Sequence, residues 1–382
     1  MDFIAAMVRT GESLPLIIAS FVFVLGVVVF IHEMGHFLVG RWCGVDIDTF
    51  SIGFGKELVG WTDRHGTRWR LAAIPLGGYV KFAGDATGAS TPDHDALERM
   101  TPRERAGSFH FKSVWQRAAI VAAGPIANFL LAIVIFAGTV YLYGRTVIPP
   151  RAAAVMQESA AAKAGFEVGD LILTIDGAAV RSFGDVQRIV SLRGGEALTF
   201  VVDRAGRQVT LEATPELKER DTPLGKQRMG MLGLTAPTAP GDIKLERYGL
   251  FPSIGIGVGE TWSVIEQSVD GIGKIIGGRA SADQLAGPIG IAQVSGQVAR
   301  LGFVPLLSFV AFLSVSIGLL NLLPVPLLDG GHLLFYAIEA LRGRPVSERT
   351  QEFGFRIGLA LVIMLTVFVT WNDIVRRILG VT

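Results

Sequence analysis

At 382 residues, half of them hydrophobic and 18% charged, the chain is too apolar for an ordinary soluble domain of its size and reads as a multi-pass membrane protein. A net charge of +1 excludes a global field that would gather nucleic acid or acidic substrates. The single cysteine, Cys43, excludes an intrachain disulfide framework and a cysteine-rich metal site, so any metal must be held mainly by His, Asp or Glu.

Four uncharged runs approach the roughly 20 residues needed to cross a hydrocarbon core. The first runs from about Leu14 to Ile31 and continues through a polar patch to Val39. It is too long for a signal peptide and lacks a basic N-terminal cluster, so a retained helix is expected. The second follows Arg117 and stays uncharged to Gly144; the third follows Arg300 to Leu328; the fourth, the shortest, lies between Arg356 and Asp373. Lys and Arg crowd the segment from Arg41 to Arg117 and recur at Arg342, Arg344 and Arg349, whereas the N-terminal tail has only Arg9. The positive-inside rule then puts both connecting segments in the cytoplasm, and residues 146–300 and both termini outside. Arg376 and Arg377 argue the other way and are outweighed.

The first span runs into Ile31-His32-Glu33-Met34-Gly35-His36. On a helix, His32 and His36 share one face, so both imidazoles can bind one metal ion, and Glu33 beside them can take a proton from water. Ionisable groups at the end of an apolar span are costly and rarely placed there without function. A catalytic zinc usually takes three protein ligands. Asp329, in Asn321-Leu322-Leu323-Pro324-Val325-Pro326-Leu327-Leu328-Asp329-Gly330-Gly331-His332, ends the third run on the same membrane side as His32 and His36. An Asp-Gly-Gly turn capping a helix is the plainer reading of Asp329, and His332 is a rival ligand.

These motifs resemble the site-2 protease family of intramembrane zinc metalloproteases, most closely its bacterial RseP type (regulator-of-sigma-E protease). The resemblance covers nearly the whole chain. It rests on His32 to His36, on Asn321 to Gly331, on Gly124-Pro125-Ile126-Ala127-Asn128 in the second span, and on Ile74-Pro75-Leu76-Gly77-Gly78-Tyr79-Val80-Lys81. It implies zinc held by His32, His36 and Asp329, which favours Asp329 over His332. It also implies Glu33 as general base, and Asn321 as a residue that holds substrate or stabilises the oxyanion. Phe50 to Phe82 would form a β-hairpin-like element dipping into the membrane, with Gly77 and Gly78 presenting a strand edge to substrate. A protease binds its substrate extended, and strand addition satisfies the substrate backbone.

From about Pro149 to Glu216 the chain changes character. Short β-like runs occur at 152–156, 170–175, 198–202 and 208–213, with a helix expected over 182–191. Ala164-Gly165-Phe166-Glu167-Val168-Gly169-Asp170-Leu171-Ile172 resembles the signature of bacterial PDZ domains. Such domains take extended peptides, often at a free C-terminus. RseP-type proteins carry two in tandem; one is found here. Residues 83–106, polar and rich in Thr, Asp and Pro, are expected to be a flexible cytoplasmic loop.

The expected fold is therefore a polytopic α-helical membrane protein with about four spans, a membrane-associated β-hairpin and one inserted α+β PDZ domain outside the membrane. Its parts are an N-terminal membrane core (1–145), the PDZ domain (146–218), a linker with amphipathic helices (219–300) and a C-terminal membrane core (301–382). The expected activity is zinc-dependent proteolysis of single-span membrane proteins in a bacterial inner membrane, near the cytoplasmic side and after a first cut outside. Anti-sigma factors and remnant signal peptides are the substrate classes the family suggests. Partners are those substrates, lipid and peptide C-termini, not nucleic acid. An inactive PDZ-bearing scaffold is the alternative, against which the intact Glu33 argues. A metal transporter ranks lower because spans two to four carry few ionisable groups.

Overall fold

The computed structural model describes residues 13–88, 93–222, 225–237, 244–277 and 287–375. They form two compact units. One comprises the described residues up to Phe136, Gly257–Ile265 and those from 287 onward; the other comprises Ala137–Ile256 and the described residues from Glu266 to 277.

The first unit is built on four helices long and apolar enough to cross a membrane: α1 (Leu14–Trp42), α4 (Val114–Tyr143), α9 (Phe303–Asn321) and α11 (Glu348–Asp373). Their exposed faces are apolar, as at Val134, Met364 and Val367. In water such faces are an aggregation surface; in lipid they are the solvent-facing side. Trp42, Trp115 and Trp371, all strongly exposed near helix ends, suit an interfacial belt. The chain is a multi-pass membrane protein.

Helix α1 buries Ile17, Ser20, Val24, Val28, His32, Gly35 and His36, one stripe at helical spacing. The stripe that seats the helix in the bundle therefore carries both imidazoles inward. Small residues let the neighbouring helix come close. A Cβ on Gly35 would lie 2.3 Å from the Ala123 carbonyl oxygen of α4.

Between α1 and α4 the chain forms β1 (Ile47–Thr62) and β2 (Arg68–Phe82). The register is richer than a hairpin. Ser51 pairs with both Tyr79 and Arg70, Ile52 with both Gly78 and Leu71, and residues 57–62 return to pair with 68–72. Both strands fold back, giving a curled sheet of four segments in the order 57–62, 68–72, 47–52, 78–82. Gly53 and Gly55, at φ +87° and +86°, make the bend in β1. Segment 78–82 is an edge of this sheet among the described residues.

The stretch expected to be a flexible loop instead holds two short helices, α2 (His94–Arg99) and α3 (Pro102–Gly107). Asp93 caps the first, and Thr101 with Glu104 forms a capping box on the second. Three of the polar residues that suggested disorder, Asp93, Thr101 and Glu104, are capping residues. Phe109 follows and stacks on Phe82 at 4.9 Å. Residues 89–92 lie outside the described set.

The third apolar run forms a helix shorter than the uncharged stretch to Leu328. A separate helix, α8 (Pro288–Leu301), precedes it and breaks from α9 at Gly302, φ +119°. Helix α9 ends at Asn321, before Pro324 and Pro326. Helix α10 (Asp329–Arg342) then begins at the Asp-Gly-Gly turn. A Cβ on Gly330 would lie 2.2 Å from the Leu323 carbonyl oxygen, so the preceding loop wraps tightly round that helix start. Helix α11 docks on the loop: a Cβ on Gly358 would lie 1.6 Å from the Pro326 carbonyl oxygen.

Arg117 of α4 bonds Glu339 of α10 at 2.6 Å, and its guanidinium stands 4.9 Å above the Tyr336 ring. Both charges are largely buried, at 16% and 17% exposure. Arg117→Ala leaves Glu339 unpaired and is expected to destabilise the protein by about 3 kcal/mol. Thermal unfolding in detergent checks this: a clearly lowered midpoint supports the tie, and an unchanged midpoint counts against it.

The second unit holds a four-stranded antiparallel sheet in the order β6 (Ala178–Ala179), β5 (Leu171–Ile175), β7 (Leu198–Arg204), β8 (Arg207–Ala213). Two short elements precede it, β4 (Ala154–Val155) and α5 (Ala160–Lys163). Helix α6 (Phe183–Leu192) starts from a capping box of Ser182 and Asp185. The core gathers Phe166, Ile172, Val186, Val190, Phe200 and Leu232. Leu232 and Leu234 join it from beyond residue 218. There β9 (Glu216–Thr222) and β10 (Gly225–Met231) pair, and β11 (Leu234–Thr235) pairs with β4. β3 (Arg145–Val147) pairs with β12 (Lys244–Glu246), and α7 (Leu250–Ile276) follows. The middle of α7 belongs to the first unit, where Val264 packs with Ala132 and Val315.

Candidate metal centre

Helix spacing alone places His32 and His36 together: their Nε2 atoms are 3.2 Å apart. Asp329, far away in the sequence, joins them at the first position of α10. Its Oδ2 lies 3.2 Å from His32 Nε2 and its Oδ1 lies 3.6 Å from His36 Nε2. The ligand atoms of all three lie within 4.8 Å of one another.

The far side of each ring is also held. His36 Nδ1 sits 2.9 Å from the Ile120 carbonyl oxygen of α4. A carbonyl only accepts, so Nδ1 carries the proton and Nε2 is left with a lone pair. His32 Nδ1 faces the Asn128 carboxamide at 3.3 Å, while on the inner side of the same ring Asn321 Nδ2 lies 3.3 Å from His32 Nε2. Gly124 of α4 lies against both rings: a Cβ there would be 2.3 Å from His36 Nε2 and 2.8 Å from His32 Cε1.

His36 Nε2 thus directs a lone pair at the point where His32 Nε2 and the Asp329 carboxylate also meet. Asp329 Oδ2 is buried and accepts no hydrogen bond. Acceptors facing one another in a buried site are repulsive unless a cation joins them. Two nitrogens and one carboxylate oxygen, with a side left open, suit a catalytic zinc.

His332 lies one turn along α10 and lines the same cavity. It packs against the Phe355 ring at 5.3 Å and is not part of the metal-capable group. Burial pushes its pKa down.

Glu33 is buried beside the three, with the Val80 backbone directed at its carboxylate. The contact depends on Gly78, where a Cβ would lie 3.0 Å from Glu33 Cγ and 2.9 Å from Val29 Cγ1. Gly77, at φ +134°, lies against Phe54. His32, Glu33, His36, Gly77, Gly78, Asn321 and Asp329 all line one cavity of about 690 Å³, whose remaining walls are mainly apolar.

The profile of peptidase family M50 matches residues 20–365. The chain is a member of this family. A relative in Rhizobium meliloti (strain 1021), placed by its name among the zinc metalloproteases, is 52% identical over 95% of this chain and 97% of its own length. Another so named in Agrobacterium fabrum (strain C58 / ATCC 33970) is 51% identical over 94% of this chain and 95% of its own. Metalloprotease MmpA of Caulobacter vibrioides (strain ATCC 19089 / CIP 103742 / CB 15) is 43% identical over 94% of this chain and 96% of its own. Family M50 is the site-2 protease family that the motifs resemble. The protein is a membrane zinc metalloprotease, with zinc as its cofactor. Sequence reading named Gly124 and Asn128 within a motif but gave them no role; their signal was a small residue and an amide in an otherwise apolar span.

Proposed function

We propose that the protein cuts single-span membrane proteins within or beside the bilayer, using His32, His36 and Asp329 to hold zinc and Glu33 as general base. The observation that carries this is the convergence of three ligands and a buried carboxylate on one cavity at the end of a membrane-spanning helix. Zinc in this position supplies Lewis-acid activation of water and of the peptide carbonyl. Glu33 takes the proton of the attacking water and delivers it to the leaving amine. Asn321, whose amide donors lie on the open side of His32, donates to the carbonyl oxygen as charge develops. The substrate lies extended along segment 78–82, with Gly77 and Gly78 giving its backbone room to approach.

The distribution of Lys and Arg supports a cytoplasmic position for this end of the bundle and a periplasmic position for the second unit in a bacterial inner membrane. The substrates in this reading are of the anti-sigma-factor or remnant-signal-peptide type, already shortened outside. The second unit is read as a PDZ domain. Its sheet order, the capped helix α6 and a cavity of about 280 Å³ lined by Val186, Val190, Met229 and Met231 support capture of an extended peptide end.

The test is cleavage of a tagged single-span substrate by the protein in vesicles, before and after chelation. Cleavage is expected to stop when zinc is removed and to return when zinc is restored. Cleavage unaffected by complete metal removal would contradict the reading. Absence of cleavage by zinc-loaded protein, across trimmed substrates that a homologous enzyme cuts, would leave the scaffold.

A further inference from the structure

Asn128 of α4 is fully buried. Its backbone carbonyl accepts from Ser314 Oγ at 2.9 Å, and a Cβ on Gly318 would lie 3.2 Å from its Cβ, so α9 clamps it in place. Its Nδ2 faces His32 Nδ1 at 3.3 Å, and its Oδ1 is buried without a donor. The nitrogen and oxygen of a carboxamide exchange places by a half-turn, and the hydrogen-bond network decides between them. If the amide N–H donated to Nδ1, the imidazole proton would sit on Nε2. That atom lies 3.2 Å from His36 Nε2 and 3.2 Å from Asp329 Oδ2, where the proton would occupy the position a metal needs. The half-turn places Oδ1 at Nδ1 and leaves Nε2 with its lone pair. His36 is held in the same sense, its Nδ1–H donating to the carbonyl of Ile120, which lies about two turns before Asn128 on α4.

We propose that Asn128 is a positioning residue for the metal centre. Its carboxamide oxygen accepts the Nδ1–H of His32 and so holds Nε2 unprotonated and aimed at the point shared with His36 and Asp329. Helix α4 thereby supplies both outer hydrogen bonds, one from its backbone and one from a side chain. The inference rests on the zinc reading above.

The test uses the full-length protein in detergent and measures zinc affinity by competition with a chromogenic chelator. Asn128→Leu keeps the volume and removes the acceptor; it is expected to weaken zinc about ten- to a hundredfold. Asn128→Asp presents an oxygen in either rotamer and is expected to bind at least as tightly as the wild type. Cobalt-substituted Asn128→Leu is expected to show an altered visible spectrum, and Asn128→Asp the wild-type one. If the leucine variant does not fold, Asn128→Ala carries the same expectation. Wild-type affinity in the leucine or alanine variant, or equal loss in the aspartate variant, overturns the proposal. A wild-type protein that binds no zinc, or keeps it in His36→Ala, overturns the metal reading and the proposal with it.

Discussion

Glu33→Gln is expected to lower peptide cleavage by about 100- to 10,000-fold while the protein keeps its zinc. Glutamine has nearly the same shape, so the contacts of this side chain with Gly78 and Val80 survive. What it lacks is basicity: it cannot take the proton of the attacking water. Glu33 is not among the three convergent ligands, so removing its charge leaves the donor set whole. The measurement pairs turnover with metal content on the same sample. Loss of both together would mean that Glu33 is a ligand or a structural element rather than the base.

Gly124→Ala is the second large effect expected, and it touches no reacting atom. The added methyl would lie 2.3 Å from His36 Nε2, 2.6 Å from His36 Cε1 and 2.8 Å from His32 Cε1. Real carbon contacts do not come so close, and neither ring is free to withdraw. His36 is tied to Ile120, and His32 faces Asn128. The helices cannot simply part, because α1 and α4 also meet at Gly35. The expected result is a protein that inserts in the membrane with near-normal helix content but has lost zinc and activity. Circular dichroism with metal analysis checks it. Full zinc occupancy in this variant would show that the α1–α4 approach is looser than described.

Much of the centre was legible because its chemistry is local. Helical spacing puts His32 and His36 on one face, and hydrophobic length marks the helix that carries them. The assignment of Asp329 needed either topology or resemblance, since nothing near it in sequence distinguishes a ligand from a capping residue. The two-fold pairing of β1 was not legible. Its first half is flanked by both halves of β2, and alternation along a strand records faces, not how many neighbours it has. Gly53 and Gly55 carried the signal, as bends within an apparent strand. The break between α8 and α9 was marked by Gly302, and the two short helices over 94–107 by Asp93, Thr101 and Glu104. In each case a capping or turn residue carried the information that composition obscured.

The account is tested most directly by where the substrate is cut. A single-span substrate in vesicles with zinc-loaded protein, its fragments sequenced by mass spectrometry, should yield new termini inside or at the edge of the hydrophobic segment. The same termini should be absent with Glu33→Gln and with chelated protein. Cuts confined to the substrate's soluble parts, or identical cuts by the Glu33→Gln variant, would contradict it.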